Sequence, residues 1–86
     1  MLRITKISEN GSPITLKLEG KIHADWVSLL EQECQTLVRE KQDVLLDLSQ
    51  VTYLDADGVE LVRALPSRRI RIIHAPAFIE ELLDRI

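Results

Sequence analysis

Asp47-Leu48-Ser49-Gln50-Val51-Thr52-Tyr53-Leu54-Asp55-Ala56-Asp57-Gly58-Val59 is the stretch on which the fold turns. An apolar run, Val44, Leu45, Leu46 and Leu48, leads into it and ends in a polar turn; a second apolar step then delivers Asp-Ala-Asp-Gly. Val59-Glu60-Leu61-Val62-Arg63-Ala64-Leu65 reads as a helix, stopped by Pro66. A strand that passes through a short acidic loop into a helix N-terminus gathers backbone N–H groups and carboxylates in one place. In α/β proteins such loops commonly carry the function.

Upstream, Leu2, Ile4 and Ile7 predict a first strand with imperfect alternation, and Asn10-Gly11-Ser12-Pro13 is turn chemistry that predicts a hairpin. In the second strand Ile14, Leu16 and Leu18 share one face while Thr15, Lys17 and Glu19 share the other, which should be wet and leave Lys17 exposed. A long helix is expected over residues 24–41, with Asp25 in its first turn. Val27, Leu30, Cys34, Leu37 and Val38 recur there at helical spacing, while Glu31, Gln35, Arg39 and Glu40 lie elsewhere. Residues 44–48 do not alternate, which predicts a central strand covered on both faces, with Val44, Leu46 and Leu48 buried. Downstream, Ile70, Ile72 and Ile73 form a further strand. Pro76 opens a last helix with Phe78, Ile79, Leu82, Leu83 and Ile86 as its apolar stripe. The order is ββαβαβα, an antiparallel hairpin feeding right-handed crossover units in a single domain, residues 1–86.

Composition narrows the classes. With 86 residues, 45% hydrophobic but only 3% aromatic, the core must be aliphatic. One cysteine allows no intrachain disulfide and suits a reducing, cytoplasmic setting. The start, Met1-Leu2-Arg3-Ile4-Thr5-Lys6, has no apolar leader core, and no apolar run approaches a membrane span. A net charge of −3 argues against sequence-independent nucleic-acid binding.

The central string resembles the signature of STAS domains, the modules shared by sulphate transporters and anti-sigma-factor antagonists: D-L-S-x-V-x-x-hydrophobic-D-S-S-G and an apolar helix. Leu16-Lys17-Leu18-Glu19-Gly20-Lys21-Ile22 is similar to the family's L-x-L-x-G-x-L/I strand end. Ile70-Arg71-Ile72-Ile73-His74-Ala75-Pro76 and the helix after it resemble the family's late strand and closing helix. The resemblance implies a four-stranded mixed sheet with helices mainly on one face and a non-catalytic protein-interaction module, without cofactor or metal, as monomer or weak dimer. Its partner would be an anti-sigma factor of the serine-kinase type or, alternatively, the ATPase of an ABC lipid transporter. The docking surface would combine Thr52, Asp55, Ala56, Asp57 and Gly58 with Glu60 and Arg63 on the second helix and the turn ending at His23. Two positions depart from the family. The residue before the glycine, a phosphorylated serine or threonine in relatives, is Asp57, so no phosphorylation is expected there. Three residues after Gly20, where relatives often carry an acid, stands His23, whose imidazole would ease crowding of Asp55 and Asp57.

Other readings of the same residues stand beside this one. Asp55-Ala56-Asp57-Gly58 can be a helix cap, with Glu60 three residues after Asp57 as a capping-box variant. Strand-Asp-x-Asp-Gly also resembles the first motif of haloacid-dehalogenase-type phosphohydrolases, which implies phosphohydrolase-like activity at Asp55 and Asp57, while the STAS resemblance itself implies weak nucleotide binding or hydrolysis as an alternative of another class. Dehalogenase-type chemistry further needs a lysine and a downstream acidic pair in a larger core, and Glu80-Glu81 read instead as a solvated helix face. An EF-hand alignment puts Tyr53 and Ala64 where oxygen ligands belong. Arg63, Arg68, Arg69 and Arg71 form the basic cluster, either solvated or facing an acidic partner or headgroup. Trp26 reads as sheet packing or an interface anchor, Cys34 as an inert core thiol, and His74 has no assigned role.

Overall fold

Strict alternation of aliphatic and polar residues makes β2 (Ile14–Ile22) the strand that organises the sheet. The hairpin partner β1 (Leu2–Ser8) runs antiparallel to it, with Leu2 opposite Gly20 and Ser8 opposite Ile14. The computed structural model describes residues 1–8 and 11–84; Asn10 of the expected turn and Ile86 of the expected terminal stripe lie outside the described residues. Then follow α1 (Asp25–Arg39), β3 (Val44–Leu54), α2 (Ala56–Ala64), β4 (Ile70–Ile73) and α3 (Ala77–Asp84). The sheet is four-stranded and mixed, ordered β1-β2-β3-β4, with β2, β3 and β4 mutually parallel. Both crossovers step the same way along the sheet, so right-handed connections set their helices on one face. There α1 packs on α2 and α2 on α3. The expected element order and fold class are thus found.

The core lies between sheet and helices and is aliphatic throughout. Leu16, Leu18 and Ile22 from β2, Leu30 and Leu37 from α1, Leu46 and Leu48 from β3, and Ile79 from α3 are all fully buried. Each such side chain contributes about 1.5–3 kcal/mol relative to exposure. Trp26 is half-buried and packs against this core from the start of α1.

Four expectations need correction. The Ser49-Gln50 segment is not a turn; β3 continues through it for eleven residues. Lys17 pairs with Asp47 but Glu19 with Gln50, and Gly20 pairs with Val51 but Lys21 with Tyr53. Each step gives β3 one extra residue, a bulge that advances the facing of its side chains. Buried positions accordingly fall at Val44, Leu46, Leu48, Val51 and Leu54, and the two wide gaps coincide with the bulges. Second, β3 is central but not covered on both faces. Leu45 and Asp47 are half-buried on the helix-free face, where Leu45 is flanked by Thr15 and Arg71. Third, Lys17 is half-buried rather than exposed, between Thr5 and Asp47 on the neighbouring strands; its aliphatic stem can lie on the sheet while the ammonium reaches water. Fourth, Phe78 is 41% exposed, because α3 turns Ile79, Leu82 and Leu83 inward instead. Pro76 does open this helix, its carbonyl accepting from the Ile79 and Glu80 N–H groups.

Helix α1 ends at Arg39, two residues before the expected end. The Gln42 N–H donates to the Leu37 carbonyl and the Lys41 N–H to that of Val38, with Lys41 itself at φ 61°. This is the glycine-type helix stop built on a lysine. On the buried face of α1 sits Cys34, 1% exposed. Burial above all, then the charges of Glu33 and Glu31, push its thiol from 9.0 up to about 11. At pH 8 its alkylation should be about a hundredfold slower in the native chain than in urea, on thiolate fraction alone. Equal rates in a thiol-reagent time course would contradict a packed, inert Cys34.

Candidate functional site

The carboxyl end of the parallel strands brings together three of the predicted segments: the end of β2, the start of α1 and the β3–α2 junction. Asp55 joins them. Its backbone N–H donates to the Ile22 carbonyl at 3.1 Å, which ties the junction to β2. Its carboxylate accepts from the Gly58 N–H at 2.7 Å through Oδ1 and from the Ala24 N–H at 3.0 Å through Oδ2. One side chain therefore caps α2 and holds the peptide that launches α1. The hydrogen bonds from Ala24 and Gly58 outweigh its desolvation and, with the nearby charge of His23 and the Asp57 N–H, hold Asp55 below the usual carboxylate range. Ala24 has φ 52° and ψ −131°, a conformation unfavourable for a residue with a Cβ, so the bond from Asp55 restrains a strained peptide.

The capping reading is thus correct in kind but wrong in residue. Asp55, not Asp57, is the N-cap, and Gly58 occupies the position where a capping box would need a glutamate; Glu60 lies further along and is exposed. Gly58 belongs inside α2 rather than before it. A Cβ there would lie 2.9 Å from the Ile22 carbonyl oxygen and 3.0 Å from a Leu54 methyl, so the first turn of α2 sits against the sheet only because the residue is glycine.

The other predicted residues divide. His23 does approach Asp55, and its ring meets Tyr53 edge to face at 6.2 Å between centroids. Thr52 is exposed near the end of β3, its hydroxyl donating to the Gly20 carbonyl at 3.3 Å. Ala56 and Asp57 are exposed on the first turn of α2. Among the described residues the Asp57 carboxylate has no hydrogen-bond or ion-pair partner. Asp57 and Glu60 line a groove of about 270 Å³ between α1 and α2, floored by Val27, Leu61 and Ala64. Arg63 is not part of that groove; it faces a separate cleft toward α3 with Ile72 and Leu83. Glu31 of α1 does line the groove, and the sequence reading missed it. Its spacing from Val27 places both on one side of α1, but nothing local says that α2 lies alongside.

Among the described residues no group of three or more His, Cys, Asp or Glu is placed to hold a metal ion, and no helix is long and apolar enough to cross a membrane. A family model described as "Mlab, STAS domain" matches residues 5–86, from within β1 through α3. The chain belongs to the STAS domain family. No curated protein matches it significantly. STAS domains are in general non-catalytic protein-interaction modules, and in this STAS domain the β3–α2 junction sets the exposed Asp57 beside a groove open to solvent.

Proposed function

We propose that this STAS domain is a non-catalytic docking module acting in the cytoplasm, resembling an anti-sigma-factor antagonist but without its phosphorylation switch. Its partner-facing surface is Thr52, Ala56, Asp57 and Glu60 with His23 alongside; Asp55 and Gly58 shape that surface, and Arg63 borders it from the far side of α2. The observation that carries this reading is the division of labour between the two aspartates. Asp55 spends both oxygens on backbone N–H groups, while Asp57, one residue before Gly58, presents its carboxylate to solvent beside a groove. A carboxylate cannot accept phosphate as serine does, and it holds one permanent charge against about −1.5 to −2 for phosphoserine. The same observation favours a second reading, a constitutive accessory subunit docked on the ATPase of an ABC lipid transporter, because such docking needs no phosphorylation cycle. Phosphohydrolase chemistry is the weakest reading, since the would-be nucleophile Asp55 is engaged at both oxygens. Nucleotide, metal and nucleic acid have no part in the proposed activity, and the domain would act as a monomer or weak dimer.

The test is Asp57→Lys. Affinity capture from the source cell followed by mass spectrometry identifies the partner, an anti-sigma kinase or a transporter ATPase. A titration should then show the variant binding at least about tenfold more weakly. Its melting temperature should fall by only a few degrees, because a first-turn carboxylate gains about 0.3–1 kcal/mol from the helix dipole. A strongly lowered melting point with unchanged affinity would make Asp57 a structural residue and sink the proposal. Asp57→Ser should also turn the loop into a substrate for a kinase that modifies relatives, while the wild-type loop takes no phosphate.

A further inference from the structure

At the opposite end of the sheet the charge changes sign. Helices α1 and α2 run antiparallel to the strands they connect, so their acidic first-turn residues Asp25 and Asp57 lie at the docking end. Arg39 and Arg63 occupy the last turns of α1 and α2 at the other. Those two arginines offset the negative helix ends. Arg68, Arg69 and Arg71 are surplus to that requirement, in a chain whose net charge is −3. All three line one cleft of about 260 Å³ between the turn before β4 and the start of β3, together with Ser67 and the apolar Val44 and Leu45.

We propose that this cleft is an anion site for a phosphate group. Arg69 is pre-oriented, its guanidinium donating to the Lys41 carbonyl at 3.1 Å and to Asp43 at 3.4 Å. That pair is open to solvent, with the two side chains 41% and 62% exposed; Asp43, which also lines the cleft, offsets one of its three positive charges and leaves two in excess. Among the described residues no carboxylate pairs with Arg68 or Arg71. Two unpaired guanidinium forks beside a fixed third suit a tetrahedral oxyanion with several acceptor oxygens better than a single carboxylate. The Ser67 hydroxyl adds a neutral donor, and the apolar floor lowers the local dielectric and strengthens each bond. The phosphate can come from a small soluble molecule or from a lipid headgroup, since the recognition chemistry is the same. The site lies at the other end of β3 from Asp57 and does not depend on the docking role proposed there.

Titration of the isotope-labelled chain with inorganic phosphate at low, chloride-matched ionic strength should give saturable shifts at the Ser67, Arg68, Arg69 and Arg71 amides and none at Asp57. Arg68→Ala and Arg71→Ala, both exposed and expected to fold, should each weaken binding about tenfold. A second arm measures co-sedimentation with phosphatidic-acid vesicles against phosphatidylcholine vesicles. Binding in either arm that both substitutions weaken supports the site, and the arm that responds names the source of the phosphate. No phosphate-dependent response in either arm, responses indifferent to both substitutions, or binding of an acidic peptide alone would overturn it.

Discussion

Gly20→Ala should lower the melting temperature by roughly 10–25 °C, corresponding to about 2–4 kcal/mol in a domain of this size. Two independent costs add at this position. Gly20 has φ 105°, well beyond the small left-handed region that other residues tolerate. A Cβ there would also collide with the carbonyl oxygen of Met1, a backbone atom that cannot swing aside like a side-chain tip. That carbonyl accepts the Lys21 N–H at 3.1 Å, and Gly20 pairs with Leu2, a buried residue of the hairpin edge. Moving Met1 therefore unzips the first pair of the β1–β2 ladder and exposes Leu2. Gly11→Ala is the control. Gly11 has φ 91°, but a Cβ there meets nothing within 4 Å, so only backbone strain remains, about 1 kcal/mol or slightly more. Circular-dichroism melts of the two variants separate strain from collision, and equal losses would show that the Met1 contact contributes nothing.

Asp55→Ala should unfasten the candidate site, lowering the melting temperature by about 5–10 °C. The substitution leaves the Gly58 and Ala24 N–H groups without their acceptor, frees the first turn of α2 and releases Ala24 from its unfavourable conformation. Hydrogen exchange at those two amides should accelerate more than at the Leu46 amide in the middle of β3. Acid should have a related effect. The carboxyl is held low in the folded chain and takes its ordinary value, about 3.9, in the unfolded one. Its contribution is therefore complete above about pH 4 and is lost as pH falls through the lowered folded value. Asp47 adds to the same acid limb: desolvation would raise it, but hydrogen bonds from Ser49 and the charges of His74 and Lys17 bring it below its usual value. Asp55→Asn should flatten part of the fall in stability below pH 4 and leave the Asp47 part in place. An unchanged acid limb in Asp55→Asn would show that the carboxylate does not hold the junction.

What was legible in the chain was whatever has a local period. Alternation at Ile14, Leu16 and Leu18, helical spacing at Leu30, Cys34 and Leu37, and the breaks at Pro66 and Pro76 report on neighbours along the same element. They carried the order ββαβαβα, and the non-alternating, largely apolar run of residues 44–48 carried the burial of Val44, Leu46 and Leu48. The site was legible as a region and not as an arrangement. Whether Asp55 or Asp57 caps α2 depends on where β3 stops, which is set by its pairing with Ile22 across the sheet. Ser49-Gln50 looks like a turn until the register with Glu19 makes it a bulge. Glu31 joins Asp57 and Glu60 only because α1 lies beside α2. Likewise, the arginines after Pro66 meet Val44 and Leu45 only because β4 pairs with β3. In each case the deciding contact joins residues on different elements, and no repeat along one element encodes the distance between two.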